Sequence, residues 1–447
     1  FCLGVIAALA AQSASAILPT CTWTGGGANG NWSTAANWNN CGGLHAVPID
    51  GDTLVFPNAV PRITNNNDII KLIAAKLQID GLNYNISGNP IGLLGGISAN
   101  VPLGTHGDAN PVFGPNIVLE TNAQTFQCVG VRDLTLGGTV NLHDLALTVD
   151  GTCSITIAGN ITGAGSIAKN GAGSLFLQGQ ASTYTGATTI NNGIVVAESG
   201  TALGAAGVGN ETTVNDGGSL QLSGAAIDED LNVSGAGFNS AGALVSTGAD
   251  NIVNGDITFL ALTTITTPPA ANILTLTGSM VGGFQVHKNG AGTVQIDGVS
   301  DGQWIANAGT VEINGSVAGA VTQSGAILAG SGIIELAISD ELGGTIAPGP
   351  SRGTRAGTLT GSNDMFWKAG GIMAFGLGAT PAASDNIVVT LSLIKTLTGA
   401  FTFDFTDAST PPTPGVTYTL ISFANQNGFV VGDFTSTYTG TGPGSSM

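Results

Sequence analysis

Charged side chains are scarce in this sequence, and basic ones are the scarcest. Its 447 residues include 10 lysines and arginines against 28 aspartates and glutamates, so the formal net charge is −18. A field of this sign repels nucleic-acid phosphates and anionic lipid, and it favours solubility in a chain rich in β-structure. Nucleic acid is therefore excluded as a partner.

Long apolar segments are also rare, and the one at the N-terminus is too short to span a bilayer. The run 1–11 is followed by Ala14-Ser15-Ala16, a small-x-small cleavage signature. These features predict that residues 1–16 are part of a signal peptide and that the chain is exported. No other segment is long and apolar enough for a membrane helix, so no membrane span is expected within this sequence.

Cysteine is scarce as well. Five cysteines are present, and cleavage of the signal peptide would remove Cys2. In an oxidising compartment the four others allow three pairings. We favour Cys21 with Cys41 and Cys128 with Cys153, because the members of each pair are close in sequence. Free buried thiols are the alternative.

Glycine, in contrast, is abundant. The 70 glycines and the 43% of hydrophobic residues describe short strands and tight turns, because glycine at this density interrupts helices repeatedly. The lack of a three-residue glycine period excludes collagen, and the many valines, isoleucines and leucines exclude disorder. The chain is therefore predicted to be all-β.

One segment occurs twice. A Lys-Asn-Gly-Ala-Gly stem begins at Lys169 and again at Lys288, 119 residues later, and each copy runs into a short apolar strand. A shorter unit, Gly-x-Φ-x-Φ-x-Gly with Φ apolar, recurs at 173–179, 218–224, 292–298 and 309–315. The last two units begin 17 residues apart, which suits one coil of a solenoid. The repeat-motif residues of the two stems are Lys169, Gly171, Gly173, Leu175, Leu177, Gly179, Lys288, Gly290, Gly292, Val294 and Ile296.

The units alternate apolar and polar residues, which predicts strands with one buried face. In 219–223 the apolar residues are Leu220 and Leu222, and in 310–314 they are Val311 and Ile313. Strands this short become stable when coils stack and pair each backbone with the coils above and below. We therefore predict a right-handed parallel β-helix, with a pair of β-sandwiches as the second choice.

The predicted organisation has three parts after the signal peptide. Residues 17–60, with three of the five tryptophans, are expected to form an N-terminal cap, and a carbohydrate-stacking platform is the alternative role for those rings. Residues 61–350 are expected to form the β-helix. Residues 351–447 read as longer strands that close the solenoid.

These residues resemble the autotransporter-associated β-strand repeat of bacterial passenger domains. The likeness is carried by the first stem, by Ser182-Thr183-Tyr184-Thr185-Gly186 after it, and by the apolar strand at 193–196. The second copy keeps the stem but lacks the turn that contains Tyr184 and Gly186. The resemblance implies a secreted right-handed β-helix displayed by Gram-negative-type bacteria, often as an adhesin or a surface fibre, without a conserved active site.

Side chains capable of chemistry do not form a convincing pattern. The only Gly-x-Ser-x-Gly match contains Ser300, but a strand is predicted after it, where a nucleophile elbow needs a helix. The acidic run Asp228-Glu229-Asp230 has no calcium-binding nonapeptide repeat beside it, so a solvated turn is expected. We expect no catalytic residue, no cofactor site and no metal site.

A parallel β-helix can also carry an enzyme, so a polysaccharide lyase or hydrolase is the main alternative function. Such enzymes need paired carboxylates or acidic metal ligands on adjacent coils. The outward positions of the repeats are instead predicted to hold Phe176, Gln221, Gln295 and Glu312. The sequence favours a structural or adhesive rod at the cell surface that contacts extracellular surfaces, glycans or matrix. A subunit of an extracellular fibre is a third hypothesis.

Overall fold

The computed structural model describes residues 19–439, except residues 40, 42, 44, 104–108, 342, 351–355 and 409. The predicted signal peptide, residues 1–16, lies outside the described residues. The described part of the chain contains 48 β-strands and no α-helix. Its four short 3-10 helices are Ala35–Asn37, Phe238–Ser240, Pro381–Ala383 and Val431–Asp433.

The strands are short and follow one another at regular intervals. The first sixteen are β1 Thr20–Trp23, β2 Trp38–Asn39, β3 Thr53–Phe56, β4 Thr64–Asn67, β5 Ile73–Ala74, β6 Lys76–Ile79, β7 Asn85–Gly88, β8 Ile91–Leu93, β9 Ile97–Ala99, β10 Val112–Phe113, β11 Ile117–Leu119, β12 Gln124–Cys128, β13 Leu134–Leu136, β14 Val140–Asn141, β15 Leu147–Gly151 and β16 Ile155–Ile157.

The middle of the chain contains both stems. Its strands are β17 Ile161–Thr162, β18 Ile167–Lys169, β19 Ser174–Leu177, β20 Thr188–Ile190, β21 Gly193–Ala197, β22 Thr212–Val214, β23 Gly218–Ser223, β24 Ala226–Ile227, β25 Leu231–Gly235, β26 Leu244–Thr247, β27 Asn251–Val253, β28 Ile257–Thr266, β29 Ile273–Leu276, β30 Met280–Val281, β31 Gln285–Asn289 and β32 Thr293–Ile296.

The strands lengthen toward the C-terminus. The last sixteen are β33 Val299–Ser300, β34 Gln303–Ala306, β35 Thr310–Ile313, β36 Ser316–Val317, β37 Val321–Gln323, β38 Ile327–Gly330, β39 Ile333–Ile334, β40 Ile338–Asp340, β41 Thr345–Pro348, β42 Thr358–Gly361, β43 Met365–Trp367, β44 Ile372–Leu377, β45 Asn386–Lys395, β46 Phe401–Asp407, β47 Ile421–Asn427 and β48 Phe434–Tyr438.

The strands form three faces, and the chain visits them in turn. The first face runs from β1 through β3, β6 and β9 to β47, and the second runs from β4 through β7 and β10 to β43. The long strands β28 and β45 bend from the first face into the second and join both into one 33-stranded sheet. The third face consists of a 5-stranded sheet, β5 to β17, and a 10-stranded sheet, β24 to β48.

Pairing between coils is parallel, as a β-helix requires. The named strands pair in parallel except β1 with β2, whose pairing is antiparallel. Parallel stacking confirms the predicted parallel β-helix and excludes the pair of β-sandwiches, whose sheets are antiparallel. Eighteen strands follow one another on the first face, so at about 4.8 Å per strand the rod is roughly 80 Å long.

The registers confirm the coil length inferred from the glycine spacing. Thr293 pairs with Thr310, 17 residues later, and the two strands that start there stack directly on the third face. The alternating residues Leu220, Leu222, Val311 and Ile313 are all fully buried. They belong to one core that is continuous along the rod, and each such side chain contributes about 1.5–3 kcal/mol through burial.

Stacking extends beyond the range 61–350 expected for the β-helix. In the segment 17–60, β1 pairs in parallel with β3, and β3 pairs with β6. In the segment 351–447, β44, β46 and β48 continue the third face in parallel. The division into cap, β-helix and C-terminal region stays a prediction about the chain's organisation, while parallel pairing between coils occurs in all three parts.

Candidate functional site

The two Lys-Asn-Gly-Ala-Gly stems form turns at different corners of the rod. The first joins β18 on the first face to β19 on the second, and the other joins β31 on the second face to β32 on the third. After the turn, the apolar repeat residues point into the core: Leu175, Leu177, Val294 and Ile296 are at most 1% exposed. The stem is thus a corner element.

Each stem contains a buried lysine that binds the turn from inside. Lys169 and Lys288 are 2% and 0% exposed. Lys169 Nζ donates to the carbonyl of Gly171 in its own turn and to that of Asn192 in the next coil, 3.2 Å away. A buried backbone carbonyl needs a donor, and the lysine supplies it across two coils.

The second lysine makes the same connection with more partners. Lys288 Nζ donates to the carbonyls of Asn289 (3.1 Å), Gly290 (2.7 Å) and, in the next coil, Ala308 (2.9 Å). Burial lowers the pKa of both lysines to about 8, because the charged form is poorly solvated inside the turn. The sequence did contain a signal for this role, since Ile167 and Lys169, like Val286 and Lys288, are two residues apart on strands and share a face.

The asparagine of each stem lies outside the same turn and joins neighbouring coils. Asn191 Nδ2 donates to Asn170 Oδ1, and Asn215 Nδ2 donates to Asn191 Oδ1, both at 2.7 Å. At the second stem Asn307 Nδ2 donates to Asn289 Oδ1 at 2.9 Å. Lysine inside and asparagine outside therefore clamp the corner from both sides.

The stem glycines allow the coils to approach closely. A Cβ added to Gly173 would lie 2.0 Å from the carbonyl oxygen of Cys153 in the preceding coil, and one added to Gly292 would lie 2.5 Å from that of Pro269. Both positions therefore exclude a side chain for steric reasons. The remaining repeat glycines, which also meet backbone atoms of the preceding coil, are Gly171, Gly179, Gly186 and Gly290.

A chain of buried polar groups begins at Tyr184, in the turn that only the first copy has. Its hydroxyl lies 2.7 Å from Thr188 Oγ1, and Thr188 pairs with Thr212 in the next coil. Thr212 Oγ1 donates to Glu229 Oε1 at 3.2 Å. The expectation of a solvated turn is wrong for Glu229, which is 3% exposed, because its side chain turns inward to Thr212. Burial raises the pKa of Glu229 to about 8.

A second buried carboxyl lies on the face that carries the second stem. Asp340 is 2% exposed, pairs in register with Gln323, and accepts a hydrogen bond from its Nε2. Burial raises the pKa of Asp340 to about 8. The sequence signal for Asp340 is the same as for the lysines, since Ile338 and Asp340 are two residues apart on one strand and share its buried face.

Both cysteine pairs that the sequence favoured are disulfide-bonded in the structure. Cys21 is joined to Cys41 and Cys128 to Cys153. Cys128 pairs with Gly151 of the next coil, so its disulfide links two consecutive coils at a corner.

The N-terminal tryptophans form part of the core. Trp23, Trp32 and Trp38 are at most 6% exposed and meet edge to face, with Trp38 ring centroids 5.1 Å from Trp23 and 5.7 Å from Trp32. Their indole N–H groups donate to the Arg62 carbonyl, Asn65 Oδ1 and the Trp32 carbonyl. Rings buried in this way offer no platform for a sugar.

The residues considered for catalysis are held in structural contacts. Ser300 is fully buried, and its Oγ accepts hydrogen bonds from Trp304 Nε1 (2.9 Å) and the Gly302 amide. Of the predicted outward residues, Phe176, Gln221 and Gln295 are partly exposed. Glu312 occupies the predicted outward position in register with Gln295, but it is only 3% exposed, because it stacks between Gln295 and Ala329 and accepts a hydrogen bond from Asn314.

Apolar side chains are exposed together on three successive coils. We define the outer apolar patch as Leu260, Leu262, Val281, Phe284 and Val299, which are 42–57% exposed. β28 pairs with β30 and β31, and β30 pairs with β33, so the patch lies where the first face meets the second. Sequence reasoning missed it, because exposure at a bend in β28 is not visible in the alternation.

None of the helices in the described ranges is long and apolar enough to cross a membrane.

Comparison with known proteins identifies the repeat. A family model described as the passenger-associated transport repeat matches residues 167–197, which contain the first stem and the Tyr184 turn. The chain is 32% identical over 186 residues to the Adhesin BmaC autotransporter of Brucella suis biovar 1 (strain 1330). The match covers 38% of this chain and 5% of the adhesin, so the chain spans a small part of that relative's length. No solved structure matches the chain. Residues 167–197 thus match the passenger-associated transport repeat, and part of the chain is similar to an autotransporter adhesin.

Proposed function

We propose that this chain is an adhesive β-helix passenger, secreted or displayed on the surface of a Gram-negative bacterium, and that it acts without catalysis. The observation that carries the proposal is its similarity to a protein named as an adhesin, together with the passenger repeat. A rod roughly 80 Å long suits this role, because stacked coils project a binding surface away from the cell.

We assign the adhesive contact to the outer apolar patch. Large apolar side chains that are grouped together on a protein surface commonly mark sites of interaction. The rod carries a net charge of −18, which disfavours non-specific contact with anionic surfaces and leaves apolar contact as a source of attraction. The proposed partners are extracellular surfaces, glycans or matrix of the host.

The experiment compares binding by purified residues 17–447 and a patch variant, Leu262→Ser/Phe284→Ser/Val299→Ser. Binding to immobilised matrix proteins, to a glycan array and to epithelial cells is measured by biolayer interferometry and microscopy. We expect the patch variant to bind at least tenfold more weakly. The control is Ile70→Ser/Val131→Ser/Val208→Ser, which changes three apolar residues outside the patch that are 63–99% exposed.

The result that contradicts the proposal is equal binding by both variants, or no binding by the parent chain to any of these surfaces. Electron microscopy and a reducing-end assay on polysaccharides are run on the same preparations. Filaments would favour the fibre subunit, and release of reducing ends would favour the polysaccharide lyase or hydrolase.

A further inference from the structure

Four side chains of the N-terminal coils converge on one point. The ligand atoms of Cys21, Cys41, His45 and Asp52 all lie within 4.8 Å of one another. Cys21 and Cys41 are fully buried, Asp52 is 1% exposed, and the His45 side chain is 17% exposed. The fold creates this cluster, because β1 and β3 pair in parallel and an antiparallel bridge places Cys41 opposite His45.

The buried carboxylate is directed at one of the sulfur atoms. Asp52 Oδ2 lies 3.2 Å from Cys21 Sγ, 2.8 Å from His45 Nε2 and 2.8 Å from the Ile49 amide, which donates to it. In the disulfide Cys21 Sγ carries no proton, so it cannot donate to this oxygen. After reduction, two thiols would lie beside this carboxylate out of water, and their thiolate forms would repel it unless a cation joined the three groups.

Two sulfurs, one imidazole nitrogen and one carboxylate oxygen are ligands that zinc accepts in tetrahedral sites. We propose that these four side chains bind one Zn²⁺ when the Cys21–Cys41 bond is reduced, so that the disulfide and the metal are alternative ways to close the N-terminal coil. The reductant is a dithiol, which gives two electrons and two protons to the disulfide and becomes a cyclic disulfide. On binding Zn²⁺, the two protein thiols release their two protons to solvent.

The second disulfide, Cys128–Cys153, serves as an internal control for zinc binding at Cys21 and Cys41. Cys128 Sγ contacts the backbone carbonyl of Arg132 at 3.5 Å, and within the described residues the only group of metal-type ligands is the N-terminal one. Reduction of Cys128–Cys153 therefore frees two thiols without a histidine and a carboxylate beside them.

The experiment measures metal content and cobalt spectra of residues 17–447. The chain is reduced with dithiothreitol, freed of the reagent by anaerobic gel filtration, and mixed with Zn²⁺ or Co²⁺. We expect one Zn²⁺ per reduced chain by mass spectrometry, release of two protons per metal, and the intense d–d bands of tetrahedral Co²⁺. The oxidised chain should bind none.

Variants separate a four-ligand site from loose thiol binding. Cys128→Ser/Cys153→Ser should keep one zinc per chain, whereas His45→Gln or Asp52→Asn should weaken zinc binding by about 10-fold to 100-fold or more. Far-UV circular dichroism checks that each variant retains its β-structure. The proposal is overturned if the reduced chain binds no zinc, if His45→Gln and Asp52→Asn both bind as tightly as the parent, or if the cobalt spectrum is octahedral.

Discussion

The two copies of the Lys-Asn-Gly-Ala-Gly stem build the same turn in different surroundings. Lys169 is at the corner between the first and second faces, in a coil of 21 residues, since it pairs with Ile190. Lys288 is at the next corner, in a coil of 18 residues, since it pairs with Ala306. The stem can serve at either corner because both turns need a buried donor for their carbonyls and glycine where coils approach.

The copies differ in how their lysines and asparagines are connected. Lys169 donates to two carbonyls and Lys288 to three. We call the hydrogen-bonded asparagines outside each turn an asparagine ladder. The ladder at the first stem joins three coils through Asn170, Asn191 and Asn215, and the ladder at the second stem joins two through Asn289 and Asn307. We therefore expect the first stem to depend more on its outer asparagine ladder and the second more on its inner lysine.

The largest effect is expected at the glycines. Gly173→Ala should destabilise the rod by about 3 kcal/mol or more and Gly292→Ala by about 1–3 kcal/mol, because the added Cβ meets a carbonyl at 2.0 Å in the first case and 2.5 Å in the second. Urea unfolding followed by circular dichroism measures both. Gly432→Ala is the control, because its Cβ would meet no atom within 4 Å. Equal effects at Gly173 and Gly432 would refute the steric explanation.

The second-largest loss of stability is expected on replacing the lysines. Lys169→Met and Lys288→Met keep the apolar stem of the side chain but leave buried carbonyls without a donor, at about 1–3 kcal/mol for each unsatisfied group. Lys288→Met removes three hydrogen bonds and Lys169→Met removes two, so the Lys288 variant should be slightly the less stable of the two; its Asn289 carbonyl keeps the Thr267 amide as a donor. Hydrogen exchange of the two turns locates the loss. A gain of stability in both variants would mean that the cost of burying the charge outweighs the hydrogen bonds.

Stability should pass through a minimum near pH 8. Glu229 and Asp340 have folded pKa values of about 8, well above their ordinary values, so the folded chain holds extra protons and loses stability as pH rises from about 4 to 8. Lys169 and Lys288 also have folded pKa values of about 8, below their ordinary 10.5, so the unfolded chain holds the extra protons and stability rises between pH 8 and 10.5.

Urea midpoints at pH 5, 8 and 10 test this dependence. Glu229→Gln/Asp340→Asn should flatten the acid side and leave the alkaline side unchanged. A parent chain whose midpoint is highest at pH 8 would contradict the assignment.

The smallest effect is expected at the ladders. Asn191→Ala removes two hydrogen bonds and Asn307→Ala removes one, on partly solvated side chains, so we expect losses of about 1 and 0.5 kcal/mol. Thermal unfolding of the two variants measures the difference. If Asn307→Ala proved the more harmful, the outer ladder would not distinguish the two stems.

The fold could be predicted because the patterns that specify it lie within short segments of the sequence. Alternation in segments such as 219–223 indicates which side chains face inward, and the 17-residue glycine spacing gives the length of the coil from Thr293 to Thr310. Stacking follows from both, since strands this short need partners above and below. The cysteine pairs were also accessible from sequence proximity, because neighbouring residues of a solenoid lie in the same or adjacent coils.

The polar interior and the outer apolar patch could not be predicted. Glu229 and Glu312 resemble surface residues in the sequence, yet each is buried by a neighbour one coil away. The cluster of His45 and Asp52 with two cysteines is likewise produced by coil stacking.

The sequence by itself therefore determined the repeat, the direction of its alternating side chains and the solenoid that they imply. Only the tertiary structure decided which corner each stem occupies, which charges are buried and which apolar residues stay outside. The physical reason is that alternation within a strand depends on the backbone of that strand alone, whereas burial at a corner depends on the register and length of the adjacent coils.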